Sequence, residues 1–166
     1  TTKSYTAVAT GEGAGIIDSE IVYDSWGLPF IPAKRLKGLL RDSAREILYF
    51  SGMSNTLLID EIFGDEFNKG KAIFENAYIE NYENITTEID ELKNKYKQYK
   101  IFLSRSNVIS YYTNIRQQTA IDENGIAKDH SLRTIRVLKP DIKFESFIDD
   151  SELSQQAKAL IYLAIK

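Results

Sequence analysis

The stretch from Ala33 to Phe50 constrains the fold more strongly than any other part of the sequence. Its apolar residues recur at intervals of three and four, so an α-helix would place them along one buried stripe. Pro32 suits the first position of such a helix, and Ser51 with Gly52 is typical of its end. The predicted stripe consists of Leu36, Leu39, Leu40, Ala44, Ile47 and Leu48. A different face carries the basic residues Lys34, Lys37, Arg41 and Arg45.

The other segments alternate between strand-like and helix-like patterns. Four have the alternating or β-branched composition of strands: 4–10, 19–24, 71–82 and 142–149. Two favour helices: 87–102, with Thr87 and Asp90 at capping-box spacing, and 151–166, with Asp149 or Ser151 as its cap. Leaving aside an excursion around the turn at 123–125, the order is strand, helix, strand, strand, helix. This order predicts an α+β, ferredoxin-like (RRM-like) βαββαβ fold with an insertion at about 84–132.

The end of the sequence is unusual for a folded domain. The apolar run LIYLAIK is followed by no glycine, proline or polar exit signal. We therefore expect residues 1–166 to form a single domain with a truncated C-terminus, from which the sixth strand is missing.

Composition excludes several kinds of chemistry. The 166 residues are 43% hydrophobic and 27% charged, as in a globular domain, and no apolar run reaches the roughly 18 residues of a membrane span. With no secretory signal either, we expect a cytoplasmic protein without a membrane partner. The absence of cysteine removes disulfides, zinc ribbons and thiol nucleophiles, and the single histidine, His130, argues against imidazole-rich metal sites and most histidine-based triads. Any metal would be held by carboxylates, which suit Mg²⁺.

Positive charge is concentrated in two segments, 34–45 and 93–105, of a chain whose net charge is -3. In the first, Lys34 and Arg35 oppose the helix dipole unless an anion binds at that end. Gly38 costs a helix about 1 kcal/mol relative to alanine, which suggests that another backbone approaches there. A solvated helix face is the alternative explanation of this segment.

Candidate catalytic residues lie mainly in the glycine-rich loop GEGAG and the strand after it. Asp18 follows the loop, and Glu20 and Asp24 alternate on the same strand face, so the three carboxylates would need a cation or basic neighbours. A second acidic group, a weaker Mg²⁺ candidate, comprises Asp60, Glu61, Asp65 and Glu66. A mixture of arginine and tyrosine typical of proteins that bind single-stranded RNA comprises Arg116, Arg133, Arg136, Tyr111 and Tyr112.

The segment IIDSEIVYDSWGLPFIPAKRLKGLLR resembles the RAMP superfamily of CRISPR-associated proteins, specifically the backbone subunits of type III effector complexes. In that family an Asp-Ser pair opens a strand, an acid ends it, and G-x-P-x-I-P leads into a helix that begins with L-K-G-x-x-R. IFGDEFNKGKAIFENAYI is similar to the family's Phe-Gly turn and following strand, and RQQTAIDENGIAKDHSLRTIRVL resembles its inserted thumb. The sequence departs from the family at Ala33-Lys34-Arg35, where members often have a glycine and serines.

The resemblance implies an RNA-binding subunit that lines up with other RAMP subunits along a guide RNA in antiviral defence. It implies that Lys34, Arg35, Lys37 and Arg41 hold phosphates, and that the thumb, which carries Arg116 and Arg133, wedges between bases. In cleaving members the loop aspartate positions the phosphodiester of the target RNA with a divalent metal. That position is Asp18 here, so the resemblance implies Asp18 as catalytic and metal-binding residue, with Mg²⁺ or another divalent cation as cofactor.

Three hypotheses follow for the function. The first is a guide-RNA-binding subunit in which Asp18 cleaves bound target RNA as a metal-dependent endoribonuclease. The second is a scaffold subunit without catalytic activity, whose basic helix docks on an acidic protein surface. The third is a metal-independent endoribonuclease that processes guide RNA, with His130 or a tyrosine as base.

Overall fold

The structure, a computed structural model, describes residues 1–13, 15–53 and 56–166 of the chain. The chain folds as two compact units. The first unit comprises Thr1–Phe30 and Tyr78–Glu145, and the second comprises Ile31–Ala77 and Ser146–Lys166. The single domain over 1–166 with an insertion at about 84–132 stays a prediction.

The described elements are mixed helices and short strands. The α-helices are α1 (Ala33–Phe50), α2 (Thr56–Phe63), α3 (Tyr82–Lys95), α4 (Arg105–Tyr112) and α5 (Gln155–Ile165), and a 3₁₀ helix spans Lys97–Lys100. The strands are β1 (Ile73–Phe74), β2 (Tyr78–Ile79), β3 (Thr113–Gln118), β4 (Arg133–Leu138), β5 (Phe144–Glu145) and β6 (Ile148–Asp149). They pair antiparallel as β1 with β6, β2 with β5, and β3 with β4. Within the described residues, none of the helices combines the length and apolar character needed to cross a membrane.

The second unit is built around α1, and the helix predicted at 33–50 is confirmed with its bounds. Ala44 and Leu48 are buried and Leu40 and Ile47 partly so, and they pack against α2 and α5. Leu39 is 61% exposed, so its placement in the buried stripe was wrong. It lies about 100° around the helix from Leu40, outside the arc that faces α2 and α5.

The first unit is centred on the hairpin of β3 and β4. The N-terminal segment bonds to β4 where Thr6 pairs with Leu138, and Ala9 pairs with Ile21. The segments predicted as strands at 4–10 and 19–24 are thus represented by single bridges rather than by regular strands. A core of Leu28, Ile79, Ile89 and Val108 packs in the same unit.

Four predicted elements have different bounds from those expected, and the last helix, predicted at 151–166 with Asp149 or Ser151 as its cap, is Gln155–Ile165. The strand predicted at 71–82 is two strands, β1 and β2, and the one at 142–149 is also two, β5 and β6. The helix predicted at 87–102 spans Tyr82–Lys95 instead. Thr87 is not its cap, because the helix begins five residues earlier and Thr87 Oγ1 donates to Glu83 O (2.8 Å) inside it. The cap of α5 is Ser154, whose Oγ accepts from Ala157 N (3.3 Å).

Candidate nucleic-acid interface

The basic residues of α1 share one face of the helix. Lys34, Lys37, Arg41 and Arg45 stand at positions i, i+3, i+7 and i+11, which lie within an arc of about 80° at 3.6 residues per turn. Lys34 and Arg45 are exposed, and Lys37 and Arg41 are half-buried. Arg35 projects about 100° away from Lys34 and is exposed. We call the surface formed by Lys34, Lys37 and Arg41 the α1 basic face.

The α1 basic face has no carboxylate partner within the described part of the chain. Arg45 is the member of the row that does pair, with 3.8 Å between its Nη1 and Asp42 Oδ1, and both side chains are largely exposed. The Nε of Arg41 is buried and has no hydrogen-bond partner among the described residues.

The N-terminus of α1 adds to the positive potential of this face. Pro32 stands at the cap without a side-chain hydrogen bond, and the first turn contains no acidic residue. The N–H of Ala33 donates to Asn76 Oδ1 (2.8 Å), which is a neutral partner. The positive end of the helix dipole and Lys34 therefore act in the same direction, and an anion there would be stabilised by both.

In the first unit, Asp18 is fixed against β4. Its Oδ2 accepts from Thr134 N (2.6 Å) and its own N–H donates to Thr134 O (2.8 Å). Ser19 O accepts from Arg136 N (3.0 Å), so this segment extends the hairpin beyond β4. The carboxylate remains exposed. Asp18 therefore lies beside β4, at the end of the strand that begins with Arg133 and Thr134.

The two predicted thumb arginines share one face of the hairpin. Arg116 lies opposite Ile135, and Gln118 lies opposite Arg133. Since residues two apart on a strand point to the same side, Arg116 and Arg133 are diagonal neighbours on that face. Both are exposed.

Tyr5 lies on this face of the hairpin and was not predicted as a site residue. The guanidinium of Arg116 is 5.5 Å from the centroid of its ring, and Asn114 Nδ2 donates to its hydroxyl (3.1 Å). Its side chain is 45% exposed. An exposed arginine next to an exposed ring is a combination that stacks on nucleobases. The sequence gives no signal for this contact, because more than 100 residues separate the partners.

Arg136, grouped with the RNA-binding arginines in the sequence analysis, has a structural role instead. Its Nε is 2.7 Å from Glu20 Oε1, and its Nη1 donates to Thr113 Oγ1 (3.1 Å). Glu20 is 8% exposed and also accepts from Ile21 N (3.0 Å). This buried ion pair ties the segment after Asp18 to both strands of the hairpin.

The expected cluster of three carboxylates does not form. Glu20 is used by Arg136, and Asp24 accepts from Trp26 N (2.9 Å), Leu28 N (2.9 Å) and the Tyr82 hydroxyl (2.7 Å). Burial, followed by the hydrogen bond to Asp24, raises the pKa of that hydroxyl far above its usual range. Across residues 1–13, 15–53 and 56–166, no three His, Asp or Glu side chains are grouped as metal ligands.

Glu61 and Asp65 of the second acidic group are used in local hydrogen bonds, and His130 lies in a loop. Glu61 accepts from the N–H (2.8 Å) and the hydroxyl (2.9 Å) of Ser154, and the backbone hydrogen bond is the main cause that lowers its pKa. Asp65 accepts from Phe67 N and Asn68 N in a turn, and hydrogen bonds from Asn68 and Phe67 lower its pKa. His130 is exposed in the loop between β3 and β4 with a φ of 56°.

The comparison with protein families assigns the chain to a family. The model of the RAMP superfamily matches residues 1–166, and the chain therefore belongs to the RAMP superfamily. This confirms the resemblance seen in the sequence. A curated relative is the CRISPR system CMR subunit Cmr6 of Saccharolobus solfataricus, which is 32% identical over 100 residues. The match covers 60% of this chain and 33% of the relative, so it spans about a third of that protein's length.

Two solved structures have the same fold over almost the whole chain. The chain is similar to one in the cryo-EM structure of the type III-B Cmr-beta bound to cognate target RNA, with a TM-score of 0.62 and coverage of 97% of this chain and 85% of the other. It is also similar to one in the apo state of type III-B Cmr-beta, with a TM-score of 0.66 and coverage of 99% and 86%. The identity is 12% in both cases, so the likeness is one of fold.

Proposed function

We propose that this chain is a guide-RNA-binding subunit of a type III CRISPR effector complex of the Cmr kind. The observation that carries the proposal is the α1 basic face, which has no carboxylate partner among the described residues and lies at a helix N-terminus without an acidic cap. Phosphates are attracted to such an end, because the helix dipole and the basic side chains both act on them. The net charge of -3 disfavours nonspecific binding of nucleic acid over the rest of the surface.

The comparisons support this proposal and its partners. The chain belongs to the RAMP superfamily, its curated relative is named a CMR subunit, and a chain of similar fold comes from a complex bound to target RNA. We therefore propose guide RNA, target RNA and other RAMP subunits as partners. We also propose that the short paired strands belong to a ferredoxin-like arrangement.

The RNA-binding part of the proposal is tested by purifying the full chain under native conditions. We expect co-purified nucleic acid, seen as a raised ratio of absorbance at 260 to 280 nm, and sequencing should identify it as RNA. A preparation free of nucleic acid that binds added single-stranded RNA no better than duplex DNA would contradict the proposal. If it also bound an acidic protein partner through α1, the scaffold hypothesis would replace it.

The exposed carboxylate of Asp18 is the candidate for target cleavage. Its Oδ2 already accepts from Thr134 N (2.6 Å), which fixes its orientation, and its Oδ1 remains for a ligand. Mg²⁺ usually keeps several waters and takes one or two carboxylates together with substrate phosphates, so a single aspartate fits such a site. Bound there, the cation would supply Lewis-acid activation of the phosphodiester. The chain itself contributes an oriented negative oxygen, and Arg133, the residue before Thr134 in β4, contributes positive charge.

Replacement of Asp18 by asparagine tests cleavage. We expect Asp18→Asn to abolish cleavage of a bound target RNA while RNA affinity changes little, because one exposed carboxylate is lost and the phosphate contacts are kept. The measurement is cleavage of a labelled target RNA by the assembled complex with Mg²⁺ and with EDTA. Cleavage that persists in EDTA but is lost in His130→Ala would support the metal-independent hypothesis. RNA binding without any cleavage would identify a non-catalytic subunit.

Gly38 offers a test of whether another backbone approaches α1. A Cβ built at Gly38 meets no other described atom within 4 Å, so Gly38→Ala fits without a clash inside the chain. We expect the variant to raise the free energy of unfolding by about 1 kcal/mol, measured by chemical denaturation, because alanine is the better helix former. We also expect weaker RNA binding, because the new methyl group lies beside the α1 basic face.

The matched control for Gly38→Ala is Leu39→Ala, which also keeps the charge and changes an exposed position of α1 about 140° around the helix from Lys34. It should leave RNA binding unchanged. A Gly38→Ala variant that is stabilised but binds RNA as tightly as the wild type would show that no RNA backbone lies close to this glycine.

A further inference from the structure

A second concentration of positive charge lies in the first unit, on elements other than α1. The sequence from Leu92 to Ile121 contains no Asp or Glu, although it carries six lysines or arginines. Four of the six fall between residues 93 and 100. We call these lysines and the apolar side chains next to them the second basic surface: Lys93, Lys95, Lys97, Lys100, Tyr96, Ile101 and Phe102.

The backbone holds two of these lysines close together. Lys97 and Lys100 are the first and last residues of the 3₁₀ helix. In a 3₁₀ helix the side chains at i and i+3 eclipse, and three steps of about 2.0 Å separate them by about 6 Å along the axis. Both are exposed. Two ammonium groups so arranged repel each other unless an anion lies between or beside them.

No carboxylate of the described residues supplies that anion. None of the four lysines pairs with a carboxylate within the residues that the structure describes. Lys93 and Lys95 lie in the last turn of α3, where a positive charge is favourable to the helix dipole. Lys97 and Lys100 lie beyond that helix, so stabilisation of α3 does not account for them.

Exposed apolar side chains accompany the lysines. Phe102 is 70% exposed and Ile101 is 75% exposed. The Lys95 ammonium is 5.2 Å from the centroid of the Tyr96 ring. The turn that carries Phe102 is fixed, because Ile101 O accepts from Ser104 N (3.2 Å) and from Asn107 Nδ2 (2.8 Å). A large exposed ring thus follows closely in sequence after lysines that have no carboxylate partner among the described residues.

We propose that the second basic surface binds single-stranded RNA, as a separate binding surface from the α1 basic face. Single-stranded nucleic acid is the polyanion that this combination fits, since lysines contact its phosphates and an exposed ring stacks on its unpaired bases. An acidic protein could also cover the ring, and loss of a protein partner instead of RNA is therefore the alternative outcome of the test. The inference shares only the ligand class with the proposed function, and rests on different residues.

Removing charge tests the phosphate contacts. The test uses the full chain with Lys95→Gln, Lys97→Gln and Lys100→Gln. We expect the slope of log Kobs against log[salt] for single-stranded RNA to become shallower by about two, because each lost phosphate contact removes about 0.7 from the slope. The control is Lys3→Gln, Lys69→Gln and Lys166→Gln, which removes the same charge from exposed positions and should keep the wild-type slope. Thermal unfolding of both variants checks that the chain still folds.

Removing the ring tests stacking. We expect Phe102→Ala to weaken RNA binding about five- to 150-fold without changing the salt slope, because stacking involves no counterion release. A second measurement locates the contact in the wild-type chain. RNA that contains 4-thiouridine is crosslinked to the protein, and digestion with trypsin should find the label on the fragment Ile101–Arg105.

The outcomes separate this inference from the proposed function. If the triple lysine variant binds RNA with the slope of its control, or if it loses only its association with protein partners, the inference is overturned. The same assay on variants of the α1 basic face gives the independent result for the proposed function, so one set of variants can fail while the other succeeds.

Discussion

Replacing Lys34, Lys37 and Arg41 together by glutamine should lower the affinity for single-stranded RNA about 100-fold at 0.1 M salt. Each phosphate contact to a single strand releases about 0.7 counterion, so three contacts change log Kobs by about two for each tenfold change in salt. The three residues have no carboxylate partner within the described residues, so their loss breaks no internal ion pair. The measurement is equilibrium binding of a labelled RNA to the full chain.

The control for this variant must remove the same charge elsewhere. Lys3→Gln, Lys69→Gln and Lys166→Gln together do so, and we expect them to change RNA affinity by a few-fold at most. Equal losses in the two variants would mean that net charge, rather than the α1 basic face, governs binding. An unchanged affinity in the α1 variant would remove the phosphate-binding role of this helix.

Replacing Arg136 by methionine should lower the free energy of unfolding by about 3–5 kcal/mol. The side chains of Arg136 and Glu20 are 13% and 10% exposed, with 2.7 Å between Nε and Oε1. Loss of the arginine leaves an uncompensated carboxylate in a buried position, which costs much more than the loss of an exposed ion pair. Chemical denaturation monitored by circular dichroism gives the value.

The double variant shows whether the lone charge is the cause. Glu20→Leu combined with Arg136→Met should recover most of the lost stability, because a well-packed apolar pair often replaces a buried ion pair at little cost. Arg45→Met, which removes one member of an exposed pair with Asp42, should change stability little. A small effect of Arg136→Met alone would show that the pair does not anchor the hairpin.

The part of the candidate site that could be predicted from sequence is the part formed by local spacing. The face shared by Lys34, Lys37 and Arg41 follows from helical periodicity over eight residues, and the structure has a helix with the predicted bounds. The unfavourable positive charge of Lys34 and Arg35 in the first turn could also be predicted, and that turn contains no acidic residue. Leu39 was misplaced because a spacing pattern alone does not fix where the buried arc ends.

Contacts between distant segments could not be predicted. The carboxylate of Asp18 meets the N–H of Thr134, 116 residues away, and Tyr5 meets Asn114 and Arg116. Alternation alone suggested that Glu20 would join Asp18, whereas Arg136, also 116 residues away from Glu20, draws it into a buried ion pair. The segments 71–82 and 142–149 look like single strands in composition, but each contributes residues to both units and so forms two short strands.

The most direct test of the central proposal is the salt dependence of RNA binding to the α1 basic face. The affinity of the wild type and of the Lys34, Lys37 and Arg41 triple variant is measured from about 0.05 to 0.5 M salt. If phosphates bind this face, the slope of log Kobs against log[salt] becomes shallower by about two in the variant, and the two lines converge at high salt. Parallel lines would contradict the account, because they would show that no phosphate contact had been lost.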